Sequence, residues 1–249
     1  MKYLLWVVPL ALPAYVIHFF IATLPCLIIR PFNRSAADRW LAVNSKIVAK
    51  YYLFLLGVHV NVTGLTDSIK TSKGICFISN HTSLLDILLT FVYLDANTGF
   101  ISKKEIAFVP FFNLTALVHN VVFMDRKSLK NGVKAINKGA KIIKQGCNML
   151  IFPEGTRSKD GRIAPFKYGS FRLATQSNAV IVPLAIKGIR AALEDRKHCF
   201  CRTECCFDIG PEFKTDTVKS RTDLNALAIK IENHINSVYQ TLGDGKNGK

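Results

Sequence analysis

Hydrophobic residues divide the chain into an apolar beginning and an alternating remainder. Residues 3–29 contain no Lys, Arg, Asp or Glu. A straight helix of that length would measure about 40 Å, against a hydrocarbon core of about 30 Å. Its three prolines predict a bent or broken helix, and a second apolar, aromatic-rich helix is expected over 38–56. We therefore predict an N-terminal membrane-associated helical segment that either spans the bilayer or lies in one leaflet.

From residue 58 onwards, predicted strands and helices alternate. Val58, Val60 and Val62 have the spacing of a half-buried strand. Continuous apolar runs predict further strands over 75–79, 99–102, 121–124, 149–152 and 180–186, with a last, Cys-rich strand ending near 210. Helices are predicted over 83–94, 110–118, 128–145 and 170–176, followed by a closing helix with an apolar face from Leu224 to Tyr239. This order predicts an α/β fold, a single mixed sheet with helices on both faces. The expected units are 1–57 (membrane anchor), 58–242 (catalytic domain) and 243–249 (disordered tail).

The number and distribution of charged residues indicate the kind of partner and the orientation of the anchor. The chain has 33 Lys and Arg residues against 17 Asp and Glu, a net charge of +16, which indicates an anionic partner. Arg30, Arg34 and Arg39 follow the apolar run, whereas only Lys2 precedes it. This asymmetry predicts an uncleaved anchor at the cytoplasmic face of the membrane and a cytosolic catalytic domain. A cleaved signal peptide is the competing interpretation. The basic face of the predicted helix 128–145 is either solvated or docks on anionic lipid or an acidic carrier.

Seven cysteines are an odd number, which is atypical of a fully paired secreted framework. Four of them cluster near His198, at Cys199, Cys201, Cys205 and Cys206. Their spacing differs from that of common zinc sites, and the segment also has the character of a strand. We expect reduced, partly buried thiols there and no bound metal.

A polar turn after the strand 75–79 contains the first candidate chemistry. Sites in open α/β sheets gather at the carboxyl ends of strands, and His81 follows such an end. Asp86, five residues later, is placed to accept a hydrogen bond from His81 Nδ1, which would leave Nε2 as a general base. The nucleophile would then be a substrate hydroxyl. The alternative is structural, because Ser83 and Asp86 also fit a helix-capping pattern.

A second loop follows the strand 149–152, with the sequence Phe-Pro-Glu-Gly-Thr-Arg-Ser over 152–158. Gly155 allows close backbone approach, Thr156 offers a hydroxyl, and Arg157 offers a planar fork that suits phosphate. The alternative is an ordinary turn with a surface arginine.

Together the two stretches resemble the glycerolipid acyltransferase family, specifically the 1-acyl-sn-glycerol-3-phosphate acyltransferases. The family's first block is a His, four residues and an Asp, and its third block is Phe-Pro-Glu-Gly-Thr-Arg-Ser. The segments 102–126, 165–169 and 181–184 look like its remaining blocks, so the resemblance covers roughly 58–210. The chain departs from the second block at Asn113 and His119, where glycines are usual.

The resemblance implies specific roles. His81 would be the general base and Asp86 would orient it. Arg157, with Lys103 or Lys104 and Arg126, would bind the acceptor phosphate. Glu154, Gly155 and Thr156 would shape that pocket, and Pro183, which also predicts a strand end or bulge, would form part of the site wall. No cofactor is implied.

The expected substrates are a lysophosphatidic acid acceptor and an acyl-CoA or acyl carrier protein donor, at a surface of membrane lipids. Other lysolipids or glycerol 3-phosphate are alternative acceptors. Two further classes remain open from the residues themselves. One is a non-catalytic, membrane lipid-binding protein, and the other is nucleic-acid binding, which only the charge suggests and which we do not expect.

Overall fold

The structure is a computed structural model that describes residues 13, 15–94, 97–109, 112–195 and 202–242. Most of the first half of the apolar run 3–29 and the predicted tail 243–249 lie outside these residues. A π-helical turn, Phe19–Thr23, leads into α1 (Leu24–Ile29) and α2 (Arg34–Leu55), with Asn33 capping α2. Within the described residues, no helix combines the length and apolar character needed to cross a membrane.

Seven strands follow the N-terminal helices, at the places where the apolar runs predict them. They are β1 (Val58–Thr63), β2 (Cys76–Ser79), β3 (Gly99–Lys103), β4 (Val122–Met124), β5 (Met149–Ile151), β6 (Ile181–Lys187) and β7 (Thr203–Ile209). The connecting helices are α3 (Asp67–Thr71), α4 (Asp86–Tyr93), α5 (Phe112–Val118), α6 (Leu129–Lys144), α7 (Arg172–Thr175) and α8 (Arg221–Thr241). Short 3₁₀ turns occupy Lys104–Phe108, Tyr168–Phe171 and Ile189–Ala192.

The strands form one mixed sheet in the order β1-β7-β6-β2-β5-β3-β4. Strands β6, β2, β5, β3 and β4 are mutually parallel, whereas β7 runs antiparallel to β6 and parallel to β1. Side chains alternate between two cores: Phe77 and Leu150 pack with α2 and α4 on one face, while Ile78 and Ile151 pack with α6 and α8 on the other. The predicted single mixed sheet is confirmed. The five parallel strands end at one edge, so the loops that follow them meet there.

Pro183 lies inside β6 and does not end it, so the predicted strand end is wrong. The alternative, a bulge, agrees with a one-residue shift in the antiparallel register beside Pro183, from Leu184 opposite Ile209 to Ile181 opposite Phe213. The carbonyl oxygen of Pro183 accepts a hydrogen bond from Gly210 N at 2.8 Å. Any other residue at position 183 would point its N–H to the same side of the strand. Strand β7 ends at Ile209, so the proline nitrogen faces a position just beyond that strand, where a ladder hydrogen bond is not required.

Candidate active site

The first candidate motif forms the contact that its spacing predicts. His81 Nδ1 lies 2.7 Å from Asp86 Oδ2. Asp86 is fully buried, and the His81 side chain keeps 13% of its surface exposed. The imidazole stacks on Phe152, with ring centroids 3.9 Å apart and planes at 15°. The carboxylate fixes the Nδ1–H tautomer, so Nε2 is the nitrogen that can accept a proton from a substrate.

The capping contact exists alongside this pair. Asp86 Oδ2 also accepts hydrogen bonds from the backbone N–H groups of Thr82 and Ser83, at 2.9 and 3.0 Å. Helix α4 begins at Asp86, later than the predicted residue 83, and Leu85 precedes it without a side-chain cap. The Ser83 hydroxyl accepts from Leu85 N at 3.1 Å. One carboxylate therefore orders both the imidazole and the turn into the helix.

Glu154 connects the two candidate loops. Its side chain is 4% exposed. One carboxylate oxygen accepts from His81 N at 2.6 Å and the other from Ala164 N at 2.9 Å. Burial raises the pKa of Glu154, and these two hydrogen bonds oppose the shift. Glu154 therefore holds the His81 backbone through a hydrogen bond.

The other residues of the second loop face the same edge of the sheet. Gly155 has φ +77°, a backbone conformation that favours glycine, and a Cβ atom there would lie 2.6 Å from Lys167 Nζ. Thr156 and Arg157 line a cavity that also exposes His81, here called the catalytic cavity, with a volume of about 720 Å³.

Cationic side chains dominate the polar wall of the catalytic cavity. Lys103 and Arg126, two of the residues predicted to bind the acceptor phosphate, line it. Desolvation lowers the pKa of Arg126, and the neighbouring Arg157 charge adds to the shift, whereas Glu105 opposes it. Lys104 does not line the cavity and pairs with Asp125 at 2.5 Å. Three cations that the motifs did not indicate complete the wall: Lys127, Lys159 and Arg190.

Glu194 is a site residue that sequence reasoning missed. Its carboxylate accepts hydrogen bonds from Ser83 Oγ at 2.7 Å, from Leu84 N at 2.9 Å and from Arg157 Nη1 at 3.0 Å. It therefore connects the loop after β2 with the loop after β5. Nothing in the surrounding sequence marks Glu194, because it stands in an ordinary run of charged residues; only the position of β6 brings it to the site.

An apolar cavity of about 290 Å³ adjoins the catalytic cavity. The two share Leu84, Ile87, Phe100, Ser102 and Ile106. The remaining wall comes largely from α2, α4 and α5, and it is hydrophobic apart from a few buried polar groups near His119. A hydrocarbon chain that enters from the catalytic cavity would be removed from water there.

Two predicted features lie away from the site. Pro183 is buried in the sheet opposite Ile78 and is not among the residues that line the catalytic cavity. Cys205 and Cys206 lie on β7, and the other members of the cysteine cluster fall outside the described residues. In the part of the chain that the structure covers, no group of three His, Cys, Asp or Glu side chains could hold a metal ion.

The family model that matches the chain is Acyltransferase, over residues 59–187. These residues hold both loops of the catalytic cavity and six of the seven strands. The chain therefore belongs to the acyltransferase family, and it is an enzyme of that class. The resemblance seen in the sequence motifs is confirmed at this level.

Three similar proteins carry the same description. The chain is 27% identical over 205 residues to the sheep "1-acyl-sn-glycerol-3-phosphate acyltransferase alpha", covering 82% of this chain and 71% of the relative. It is 33% identical over 147 residues to a coconut "1-acyl-sn-glycerol-3-phosphate acyltransferase", covering 59% and 47%. A similar protein from Borreliella burgdorferi is 32% identical over 138 residues, covering 55% and 54%.

A solved structure has the same fold. The crystal structure of the 1-acyl-sn-glycerophosphate acyltransferase PlsC from Thermotoga maritima superposes with a TM-score of 0.70. The match covers 93% of this chain and 96% of that chain at 23% sequence identity. It extends the shared architecture beyond the family model into the N-terminal helices.

Proposed function

We propose that this acyltransferase transfers a fatty acyl group from a thioester donor to the sn-2 hydroxyl of 1-acyl-sn-glycerol 3-phosphate, which yields phosphatidic acid. The observation that carries the proposal is the His81–Asp86 contact in a cation-lined cavity that adjoins an apolar one. A base, a phosphate site and a hydrocarbon site are the three things that a lysophosphatidic acid acceptor requires. The names of the similar proteins agree with this acceptor.

In the proposed reaction, His81 Nε2 takes the proton from the acceptor hydroxyl as its oxygen attacks the thioester carbonyl carbon. The new C–O bond forms and the C–S bond breaks. The thiolate leaves and takes up the proton from the imidazolium. Asp86 stabilises the imidazolium because its buried carboxylate contacts Nδ1 at 2.7 Å. Neither a covalent acyl-enzyme nor a cofactor is needed.

The acceptor phosphate would bind to Arg157, Arg126 and Lys103 at the wall of the catalytic cavity. Arg157 is the strongest candidate because it lines the catalytic cavity, its side chain is 42% exposed, and its guanidinium keeps further donors beside the one that contacts Glu194. Lys104 is a weaker candidate because Asp125 holds it. The fatty chain would occupy the apolar cavity.

Two variants test the base and the residue that orients it. His81→Ala should lower kcat by about 10²–10⁴. Asp86→Asn keeps the shape but removes the charge, and a similarly large loss is expected because the amide no longer favours the Nδ1–H tautomer. The assay is acyl transfer to lysophosphatidic acid by detergent-solubilised enzyme, with acyl-CoA and acyl carrier protein donors compared. Near-normal transfer by His81→Ala would refute the assignment, and no transfer by the wild-type enzyme would favour a non-catalytic, lipid-binding protein.

Acceptor identity is tested separately. An acceptor panel with lysophosphatidic acid, glycerol 3-phosphate and other lysophospholipids should show the highest kcat/KM for lysophosphatidic acid. Arg157→Ala should raise the KM for phosphate-bearing acceptors about tenfold, which is the loss expected from one charge-assisted contact. An unchanged KM and kcat would remove Arg157 from the phosphate site.

We also propose that the N-terminal helices lie against a membrane. Their outer surface exposes large hydrophobic side chains, including Phe20 (60%), Phe32 (89%) and Phe54 (79%), and soluble surfaces rarely carry such a patch. Cations accompany it on α2, which suits anionic lipid at the cytoplasmic face. The double variant Phe32→Glu/Phe54→Glu should reduce co-sedimentation with phosphatidylglycerol vesicles. Ile229→Glu, on α8, is the matched control, and equal binding by both variants would contradict the proposal.

A further inference from the structure

A third cavity lies between the first half of α6 and the segment 167–176, and it is here called the α6 cavity. Its volume is about 370 Å³. It shares Ile101, Arg126 and Phe152 with the catalytic cavity. Phe152 is also the ring on which His81 stacks. The α6 cavity therefore lies beside the proposed base, and the acceptor assigned above uses none of its wall except Arg126.

The wall of the α6 cavity combines three kinds of group. Its floor is hydrophobic, and amide or hydroxyl side chains stand among the apolar ones: Ser128, Asn137, Ser170 and Gln176. Two exposed cations, Lys167 and Arg172, also line it. In the part of the chain that the structure describes, no carboxylate forms an ion pair with either cation. The acidic group in the wall, Asp125, is paired with Lys104.

The position of Lys167 depends on the second candidate loop. Its Nζ atom passes over Gly155, where a side chain would lie only 2.6 Å away. The glycine that the motif contains thus leaves room for a cation between the catalytic loop and the α6 cavity. A phosphate bound by Lys167 and Arg172 would be distinct from one bound by Arg157 in the catalytic cavity.

We propose that the α6 cavity binds the phosphopantetheine arm of the acyl thioester donor. This inference rests on the proposed function, which requires a thioester. The arm carries a phosphate at one end, two amides and a pair of methyl groups along its length, and sulfur at the other end. Lys167 and Arg172 match the phosphate, the amide and hydroxyl side chains match the amides, and the hydrophobic floor matches the methyl groups.

Two further observations favour this occupant. A reaction between two anionic substrates needs two cationic regions, and the catalytic and α6 cavities supply one each on either side of Phe152. Helix α6 also presents exposed lysines outside the cavity, at Lys130, Lys134, Lys138 and Lys141. They suit the remaining negative charge of the donor, which is a nucleotide in coenzyme A and an acidic protein in acyl carrier protein.

The first test removes charge from the cavity. Lys167→Ala/Arg172→Ala should raise the KM for the donor by at least tenfold, the effect of losing one charge-assisted contact. The KM for lysophosphatidic acid and the kcat at saturating donor should stay within about twofold of wild type. Lys214→Ala/Lys219→Ala removes the same charge from exposed positions in the segment before α8 and should leave the donor KM unchanged. An unchanged donor KM in the cavity variant, or an equal rise in the acceptor KM, would overturn the proposal.

The second test fills the cavity. A Cβ atom on Gly132 would meet only Met124 Sδ, at 3.9 Å, so Gly132→Phe adds a ring towards the α6 cavity without a backbone clash. The substitution also replaces a glycine inside a helix, which favours the folded helix. Donor binding should fall at least tenfold, whereas Lys144→Phe, at the exposed far end of α6, should bind donor like wild type.

Direct titration separates this inference from the proposed function. Binding of coenzyme A, of pantetheine 4′-phosphate and of acyl carrier protein is measured by calorimetry, with no turnover required. Weaker binding of all three by Gly132→Phe supports the shared arm as the ligand, and an effect confined to the carrier protein assigns the cavity to a carrier-held arm. Unchanged binding of all three overturns the proposal even if the wild-type enzyme acylates lysophosphatidic acid. Donor binding in this cavity without acyl transfer would refute the proposed function alone.

Discussion

Two replacements of Glu194 should separate two roles of this residue. Its mechanical role is to hold the loops after β2 and β5 together, and its electrostatic role is to neutralise part of the charge of Arg157. Glu194→Ala removes three acceptor contacts, to Ser83 Oγ, Leu84 N and Arg157 Nη1. Each of the first two is a hydrogen bond to a charged group and contributes roughly 1.5–3 kcal/mol. The contact to Arg157 adds only about 0–1 kcal/mol, because that side chain is 42% exposed and water screens it.

The expected loss of stability follows from these contacts. Ser83 is fully buried, but Leu84 is half-exposed and its N–H can find water after the change. We therefore expect a free energy of unfolding lower by about 3 kcal/mol, at the low end of the summed range. For a chain of this size that corresponds to a melting temperature lower by roughly 6–12 °C. Activity should fall as well, because the loop that contains His81 loses its contacts to Glu194 at Ser83 and Leu84.

Glu194→Gln is the matched variant. Its carbonyl oxygen can still accept from Leu84 N and Arg157, and its amide can donate to Ser83 Oγ, so the loop contacts remain. Only the negative charge is lost. Arg157 is then less neutralised, and the KM for lysophosphatidic acid should fall by up to about fivefold, the equivalent of 1 kcal/mol.

Thermal unfolding and initial-rate kinetics test the two roles of Glu194. Both are measured on both variants in the same detergent. A melting temperature of Glu194→Ala within 2 °C of wild type would refute the mechanical role. A rise in acceptor KM for Glu194→Gln, comparable to that of Arg157→Ala, would refute the electrostatic one, because Glu194 would then be contacting the acceptor itself.

Two further predictions concern stability. Asn80 is fully buried, and its side chain donates to Ile186 O and accepts from Ile186 N, both at 2.8 Å. Asn80→Ala should therefore lower the free energy of unfolding, measured by urea titration, by about 2–5 kcal/mol. A loss below 1 kcal/mol would contradict this account. Gly64 has φ +72°, and an added Cβ would lie 1.9 Å from Ile209 O, whereas at Gly146 (φ +87°) it would meet nothing within 4 Å. Gly64→Ala should therefore destabilise the protein by clearly more than Gly146→Ala, whose cost of about 1 kcal/mol reflects backbone strain alone, and equal losses would refute the steric argument.

Local patterns identified the strands and the first site residues because both are short-range features. A continuous apolar run predicts a buried strand whatever its neighbours are, and the residue after such a run lies at a sheet edge. His81 and Arg157 could be found in this way from the sequence. The distance between them could not be predicted, because it depends on β2 and β5 being neighbours in the sheet. No local pattern indicates the order of the strands.

The same reasoning explains what sequence analysis missed. Glu194 reaches the site only because β6 lies beside β2 and ends at the same edge. Proline cannot donate a ladder hydrogen bond, so Pro183 predicts a strand end or bulge, but β6 continues past it where β7 has already ended, and the register shift lies in the segment after β7. Both depend on which strand lies alongside, so pairing information is required to place either residue.

The departure from the family pattern at His119 shows how closely the N-terminal segment is joined to the site. The His119 imidazole is 2% exposed and stacks between His18 and Phe91, with ring centroids 5.6 and 5.0 Å away. Its Nε2 lies 3.3 Å from Ser45 Oγ, which also contacts His18. A glycine could make none of these contacts. The three polar side chains lie in the wall of the apolar cavity, and two of them belong to the N-terminal helices. The helices that we propose to lie against the membrane therefore also line the cavity proposed for the acceptor's hydrocarbon chain. In this arrangement a lysolipid would pass from the bilayer to His81 without its chain crossing water.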